Sequence, residues 1–287
     1  FSDRQIRLTL VISFIVGTGL MGVVFVPQFA ENVLKIKTGS GGYLVTLMAI
    51  FSGVAAPLGG KLIDKYSAKF IMTVGFLCTI IGTLFMAFFV TSHPGFVSIL
   101  IGLAFIGLGM GFTMGTPLNY LMLNYVSSEE SASALSTLSL IRSIGVTISP
   151  NIMVNFIVEA SKKIPNNIQK ILPPIDVPGS HAHGMVSNSI PKTILEKFKT
   201  SDVTTIVDAV KDFSSAMIDK MMPKGNPFAT SFKADYLNKI ENSRFSIEQA
   251  FQSTLNSGFK NMFIASCTLA ILGLIFTLML RNKASKN

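Results

Sequence analysis

Gly60-Lys61-Leu62-Ile63-Asp64-Lys65-Tyr66-Ser67-Ala68-Lys69 is the stretch that decides the fold. An apolar run stands on either side, Tyr43–Ile63 before it and Phe70–Val90 after it. Each is long enough to cross a bilayer, which takes about twenty apolar residues of helix. A short loop of Gly, one Asp and three Lys is not the linker of a soluble core. Lysines gathered between two spans mark the cytoplasmic face of a membrane protein.

Four more runs of the same kind lie along the chain: Leu8–Phe29, Phe96–Leu118, Leu135–Val158 and Phe259–Leu280. The 287 residues are 49% hydrophobic and 14% charged, with mean hydropathy +0.54, more apolar than soluble domains are. Ten of the fifteen acids fall between Glu159 and Glu248, so charge is concentrated in one stretch. The expected architecture is an all-α membrane protein. Spans one to five occupy 1–158, a large, partly helical extracytoplasmic insertion occupies 159–258, and the sixth span with a cytoplasmic tail occupies 259–287. In a soluble protein the net charge of +9 would suggest nucleic acid. Here the basic residues outside the insertion sit at span ends, so the expected partner is the lipid bilayer and no nucleic acid. The first run is too long for a signal peptide and lacks a small-residue cleavage site.

Arg4 and Arg7 precede the first span, Lys61, Lys65 and Lys69 separate the second and third, and Arg281, Lys283 and Lys286 follow the sixth. All share one side if the spans alternate; the other side carries Lys35 and Lys37 in one short loop and no base in 92–95. Both termini are therefore expected in the cytoplasm and the insertion outside, because long loops cross regardless of charge. Within the insertion, Ser201-Asp202 reads as the cap of a helix to about Met222, with Val207, Val210, Phe213 and Met217 among its regularly spaced apolar positions. Ser246-Ile247-Glu248-Gln249 reads as a capping box whose helix carries Ile247, Phe251, Leu255 and Phe259 on one face and runs on into the sixth span. Pro, Gly, Ser and His between about Pro165 and Pro191 read as irregular chain. Cys78 and Cys267 lie in spans and the insertion has no cysteine, so no disulfide framework holds it. His93, His181 and His183 have no metal-ligand spacing; neither a metal nor a cofactor is expected.

Gly107, Gly111 and Gly115 place three small residues on one helix face, either for close packing or for sliding between helices. Pro27, Pro57, Pro117 and Pro150 each fall inside a span and kink it, as plain irregularity or as hinges. Arg142 lies about two turns into the fifth span. A charge there either snorkels to the interface or faces the bundle, pairing with helix ends or with Glu129 and Glu130. Met21, Phe25, Met110 and Met114 on the first and fourth spans offer adaptable apolar contacts. Gln28 and Asn119 are polar residues inside spans that should face protein or water. Each of these also has an ordinary reading as a packing residue.

The loop resembles the G-x-L-x-D-[RK]-x-G-[RK]-[RK] element of major facilitator superfamily transporters at Gly60, Leu62, Asp64, Lys65 and Lys69, with Ser67 where the family has Gly. The run from Ser131 to Gly145, with Leu135, Arg142 and Gly145, is similar to an S-A-L-x-n-x-x-R-x-[LI]-G element of the fourteen-helix multidrug:proton antiporters of QacA/EmrB type. Pro27-Gln28 is similar to a Pro/Gln region of the same group. The resemblance covers all six spans but corresponds to the carboxyl-terminal half, and a chain opening on Phe1 fits a fragment. It implies that Asp64 caps a neighbouring helix, that the loop's bases hold the ends of a rocking bundle, and that the first and fourth spans line a central cavity. No Asp or Glu lies within a span, so the coupling acid would belong to the missing amino-terminal half. The expected function is proton-coupled efflux of hydrophobic or cationic compounds across a bacterial cell membrane, not enzymatic catalysis. The partners are protons, a small substrate and the missing half. Export of another solute (a sugar, peptide or lipid) by the same fold, or a membrane-anchored extracellular binding module, are the alternatives.

Overall fold

The computed structural model describes residues 3–19, 22–34, 41–172, 203–221 and 227–281. Its elements are helical: α1 (Arg4–Gly19), α2 (Gly22–Leu34), α3 (Gly42–Ile63), α4 (Ala68–Leu84) ending in a π-helical turn (Phe85–Val90), α5 (Phe96–Met114), α6 (Thr116–Asn124), α7 (Ser131–Ser161), α8 (Ile164–Gln169), α9 (Val203–Met221), α10 (Pro227–Asn242) and α11 (Arg244–Met279). Among the described residues there is no strand. The all-α membrane class expected from the sequence is the class observed. Five helical stretches are long and apolar enough to cross a membrane: Gly42–Ile63, Ala68–Val90, Phe96–Asn124, Ser131–Ile168 and Arg244–Met279. The expected first span takes the form of α1 and α2 on either side of Leu20 and Met21, which lie outside the described residues.

Large apolar side chains point outward along these helices, Ile50, Val54 and Leu58 on α3, Ile81 and Phe88 on α4, Ile271 and Ile275 on α11. So much exposed apolar surface suits lipid, not water. The backbone meets the matching demand that every polar group be satisfied within the segment by forming helices.

Two compact units divide the chain, one of residues 1–156 with 259–287, the other of 157–258. In the first, α5 is threaded between α3 and α4 by glycines. A Cβ at Gly107 would lie 2.6 Å from the Met48 carbonyl oxygen, and one at Gly111 2.5 Å from Ala55 Cβ, both on α3. On the α4 side a Cβ at Gly109 would lie 2.7 Å from the Gly75 oxygen. The Gly107/Gly111 face is thus a packing surface that brings backbones together. At the end of this bundle opposite the Gly60–Lys69 loop, the buried Phe29 packs edge-on against Phe259 and Phe263, at 5.0 and 5.2 Å between ring centres.

In the second unit, Val207, Val210 and Ile218 of α9 are buried, as are Tyr236 and Ile240 of α10. Lys211 bonds Glu241, Arg244 bonds Glu241 at 3.2 Å and Thr204 at 2.8 Å, and Lys233 bonds Asp219 at 2.7 Å. The hydrogen bonds from Lys211 and then Arg244 hold the Glu241 carboxyl below the usual carboxylate range. Burial pushes the Tyr236 phenol up to about 12, its hydrogen bond with Ser214 opposing the shift.

Several expectations are corrected. The fourth span is interrupted: α5 ends at Met114, and Gly115 (φ −79°, ψ −143°) starts α6 with Pro117 in its first turn, where a missing N–H costs nothing. Pro27, Pro57 and Pro150 do lie inside α2, α3 and α7. The stretch from Pro165 is not irregular at its start, because α8 covers Ile164–Gln169; residues 173–202 lie outside the described residues, with His181, His183 and the Ser201-Asp202 cap. Ser246 is no N-cap, since α11 begins at Arg244, two residues earlier. Its expected face holds: Ile247, Phe251, Leu255 and Phe259 are all buried.

Candidate functional site

The Gly60–Lys69 loop closes tightly, with the Lys65 and Tyr66 amides both donating to the Leu62 carbonyl. Gly60 sits beside α6, where a Cβ would come 3.3 Å from Thr116 Oγ1. Ser67, the departure from the family pattern, is the N-cap of α4: its Oγ accepts from the Phe70 amide at 3.2 Å. Asp64, expected to cap a helix, instead is exposed at the end of α3, and its carboxylate makes no hydrogen bond or ion pair among the described residues. The helix end it could have served is already served by Ser67. Lys65 is also exposed, its ammonium 5.7 Å from the Tyr66 ring centre.

Lys69 is the working base of this loop. Its Nζ donates to the carbonyls of Leu278 at 2.7 Å and Leu280 at 2.6 Å, the orphan acceptors at the end of α11. An ammonium there also faces the negative end of the helix dipole. Two further side chains close on the same terminus. Tyr125 donates its hydroxyl to the Arg281 carbonyl at 2.8 Å, and the Arg281 amide donates to Gln5 Oε1 at 3.0 Å. The starts of α1 and α4, the end of α6 and the end of α11 therefore meet at one end of the bundle, where Arg4, Arg7 and Lys65 stand exposed.

Arg142 projects from α7 toward the α5–α6 break. Its terminal nitrogens reach the Met114 carbonyl and Asn119 Oδ1, both at 3.4 Å. Its buried Nε has no hydrogen-bond partner. Glu129 and Glu130 are not its partners; Glu130 accepts instead from Ser127 at 3.2 Å. Among the described residues Arg142 thus faces the bundle with neutral acceptors only, at distances beyond the 2.7–2.9 Å usual for charged bonds.

Behind Arg142, α7 lies unusually close to α1. A Cβ on Gly17 would be 2.2 Å from the Arg142 carbonyl oxygen, and one on Gly145 2.5 Å from that of Phe14. Ser13 donates to the Leu138 carbonyl and Ser149 to that of Thr18, both at 2.9 Å. Each helix supplies a Ser and a Gly four residues apart, Ser13 with Gly17 and Gly145 with Ser149. This small-residue signal is present in the sequence at helical spacing, without the charge or hydropathy contrast that marks the other motifs.

On its other side α7 shows an exposed polar stripe of Ser136, Ser139, Ser143, Thr147, Asn151 and Asn155, spaced three or four residues apart. Beside it run exposed Leu140, Ile144, Ile148 and Ile152. One face of the helix suits lipid; the other suits water or protein.

The proposed cavity residues do not converge. Met110 and Met114 line a pocket within the bundle, with Ile15, Phe76, Thr113 and Phe263 among its walls. The cavity itself is about 40 Å³, and about 560 Å³ of free space counts its open mouth. Its hydroxyls are turned into their own helices, Thr113 to Gly109, Thr79 to Gly75 and Ser266 to Met262, which leaves an apolar wall. Phe25 is buried elsewhere on α2, Gln28 is exposed there, and Met21 lies outside the described residues. Asn119 belongs with Arg142.

The Major Facilitator Superfamily pattern matches residues 1–150, more than half of the chain. The chain belongs to that superfamily: it is a multi-pass membrane protein of a transporter family, not an enzyme. It is 33% identical over 170 residues to the uncharacterized MFS-type transporter YfiU of Bacillus subtilis (strain 168), covering 59% of this chain and 32% of that protein. From the same organism, Multidrug resistance protein 3 is 27% identical over 53% of this chain and 30% of its own length. Multidrug transporter protein MdtP is 28% identical over 51% of this chain and 27% of its own length. The chain thus aligns with about a third or less of the length of these relatives.

Proposed function

We propose that this chain is the carboxyl-terminal half of a proton-coupled exporter of hydrophobic or cationic compounds, of the fourteen-helix QacA/EmrB type, in a bacterial cell membrane. The observation that carries the reading is the exposed polar stripe of α7 beside Arg142, on a helix otherwise dressed for lipid. Exposed hydroxyl and amide side chains at membrane depth call for a water-filled path or a partner helix, and a transporter with a second half supplies both. The names of two relatives, a multidrug resistance protein and a multidrug transporter, support the cargo class. The coupling carboxylates belong in this reading to the amino-terminal half, since the apolar runs 8–29, 43–63, 70–90, 96–118, 135–158 and 259–280 hold no Asp or Glu. Arg4, Arg7, Lys61, Lys65 and Lys69 support a cytoplasmic position for their end of the bundle and for both termini, by the positive-inside rule.

The test is made on the complete protein in everted membrane vesicles. Energising the vesicles to acidify their interior is expected to drive inward at least one of ethidium, a neutral hydrophobic dye and a hydrophobic carboxylate dye, and a protonophore is expected to release it. Movement of all three equal to that in vesicles lacking the protein would overturn the reading.

A further inference from the structure

Arg142 is a charged side chain well inside an apolar span, and it is poorly satisfied. A guanidinium has five N–H donors. Here two of them make 3.4 Å contacts to neutral oxygens, and the buried Nε has none. A membrane-embedded cation left so far from saturated is costly unless an acceptor arrives. The side chain is only half-buried, and Ser139 of the exposed stripe precedes it by one turn of α7, which puts the guanidinium at the edge of that face. Met114 ties the charge to an apolar surface: its carbonyl holds the guanidinium, and the same residue lines the apolar pocket of α1, α4, α5 and α11. One charged anchor beside an apolar wall with its hydroxyls turned inward fits a ligand with an anionic head and a hydrophobic body. A cationic ligand would meet an unscreened like charge.

We propose that Arg142 is a docking point for a carboxylate carried by the transported compound. The carboxylate takes over the terminal nitrogens of the guanidinium as a bidentate pair, displacing the long contacts to Met114 and Asn119. The inference rests on the export reading above and narrows its cargo to hydrophobic acids, at the expense of cations. Asn119, now a weak neutral partner, becomes the residue that keeps the fork oriented between ligands.

The test uses the complete protein in detergent and two fluorescent probes of one skeleton, 1-pyrenebutyrate and its neutral amide. The carboxylate is expected to bind about tenfold tighter or more, the range of a charged hydrogen-bonded pair. Arg142→Gln should bring the carboxylate to the amide's affinity and leave the amide unchanged. Asn119→Asp keeps the arginine and places an internal carboxylate beside it, so it should also abolish the preference, and it serves if the glutamine variant folds poorly. Equal binding of the two probes by the unaltered protein, binding of neither, or a preference that survives both substitutions overturns the proposal. So does Arg142→Gln weakening both probes alike, the result expected of an arginine that pairs with a carboxylate of the other half. Proton-driven movement of the amide in proteoliposomes is measured in parallel. Movement without a carboxylate preference sinks this inference and leaves export standing, whereas a binding preference with no driven movement of either probe counts against export.

Discussion

Replacing Gly17 by Ala tests the contact on which Arg142 depends. The added Cβ would meet the Arg142 carbonyl oxygen at 2.2 Å and its carbon at 3.0 Å, whereas ordinary contact begins at 3.4 Å. The obstacle is backbone, so no rotamer change relieves it, and α1 must move from α7. Overpacking of this kind costs about 1–3 kcal/mol. Moving the helices apart also stretches the Ser13–Leu138 and Ser149–Thr18 hydrogen bonds, both 2.9 Å. Bonds between membrane helices contribute about 0.6 kcal/mol each. Alanine's better helix propensity returns up to about 1 kcal/mol. The net expectation is a loss of about 2 kcal/mol, read by unfolding of the purified protein in mixed micelles of rising sodium dodecyl sulfate. Gly53→Ala is the control: it lies on an exposed face of α3 with nothing within 4 Å of its Cβ, so stability should hold or rise. Equal stability of Gly17→Ala and the unaltered protein would refute the close approach of α1 and α7.

Other substitutions probe the basic end and the second unit. Lys69→Met keeps the apolar stem but removes the donor from the Leu278 and Leu280 carbonyls; it should loosen the end of α11 by about 1–3 kcal/mol, seen as faster amide exchange confined to that terminus. Asp64→Asn should leave folding unchanged, because the carboxylate is exposed and unpaired among the described residues, yet lower transport several-fold if Asp64 serves a helix end of the other half; unchanged transport would reduce the loop to a topology signal. Glu241 is held below its ordinary range by Lys211 and Arg244, so its contribution is full above the unfolded carboxylate value and is lost as pH falls through the depressed folded value. Acid should therefore loosen α9 from α10, and Glu241→Gln should do the same at neutral pH without further response to acid, as followed by proteolysis within 203–242.

The spans were legible because each is a long apolar run, and lipid demands helix there irrespective of detail. The α5–α6 break was harder to read. Gly115 and Pro117 are visible, but Pro in a membrane helix is equally compatible with a gentle kink, as at Pro57 and Pro150. The end-capping role of Lys69 was out of reach, because its acceptors lie 209 and 211 positions away and no local pattern announces them. For Asp64 the sequence did not say which helix end it would serve: the N-cap of the helix after the loop is Ser67, at the position where the family pattern has Gly. Arg142 stood out as a lone charge, but its partners depended on the break that brings Met114 and Asn119 within reach. Two features were written in the sequence and still escaped it. The serine–glycine pairs of α1 and α7, and the stripe from Ser136 to Asn155, carry no charge and little hydropathy contrast, so only an explicit count at helical spacing finds them.

The central claim is that the polar side of α7 faces water while its neighbour faces lipid. Single cysteines at Ser139, Ser143, Thr147 and Asn151, and at Ile144, Ile148 and Ile152, test it in the complete protein with a small water-soluble methanethiosulfonate. Native Cys78 and Cys267 are first replaced by Ala. The first set is expected to react at rates well above the second, and a bound carboxylate probe is expected to protect Ser139→Cys and Ser143→Cys. Equal, slow reaction of both sets would mean that the stripe lies against protein or lipid, and the transport path would have to be sought on another helix.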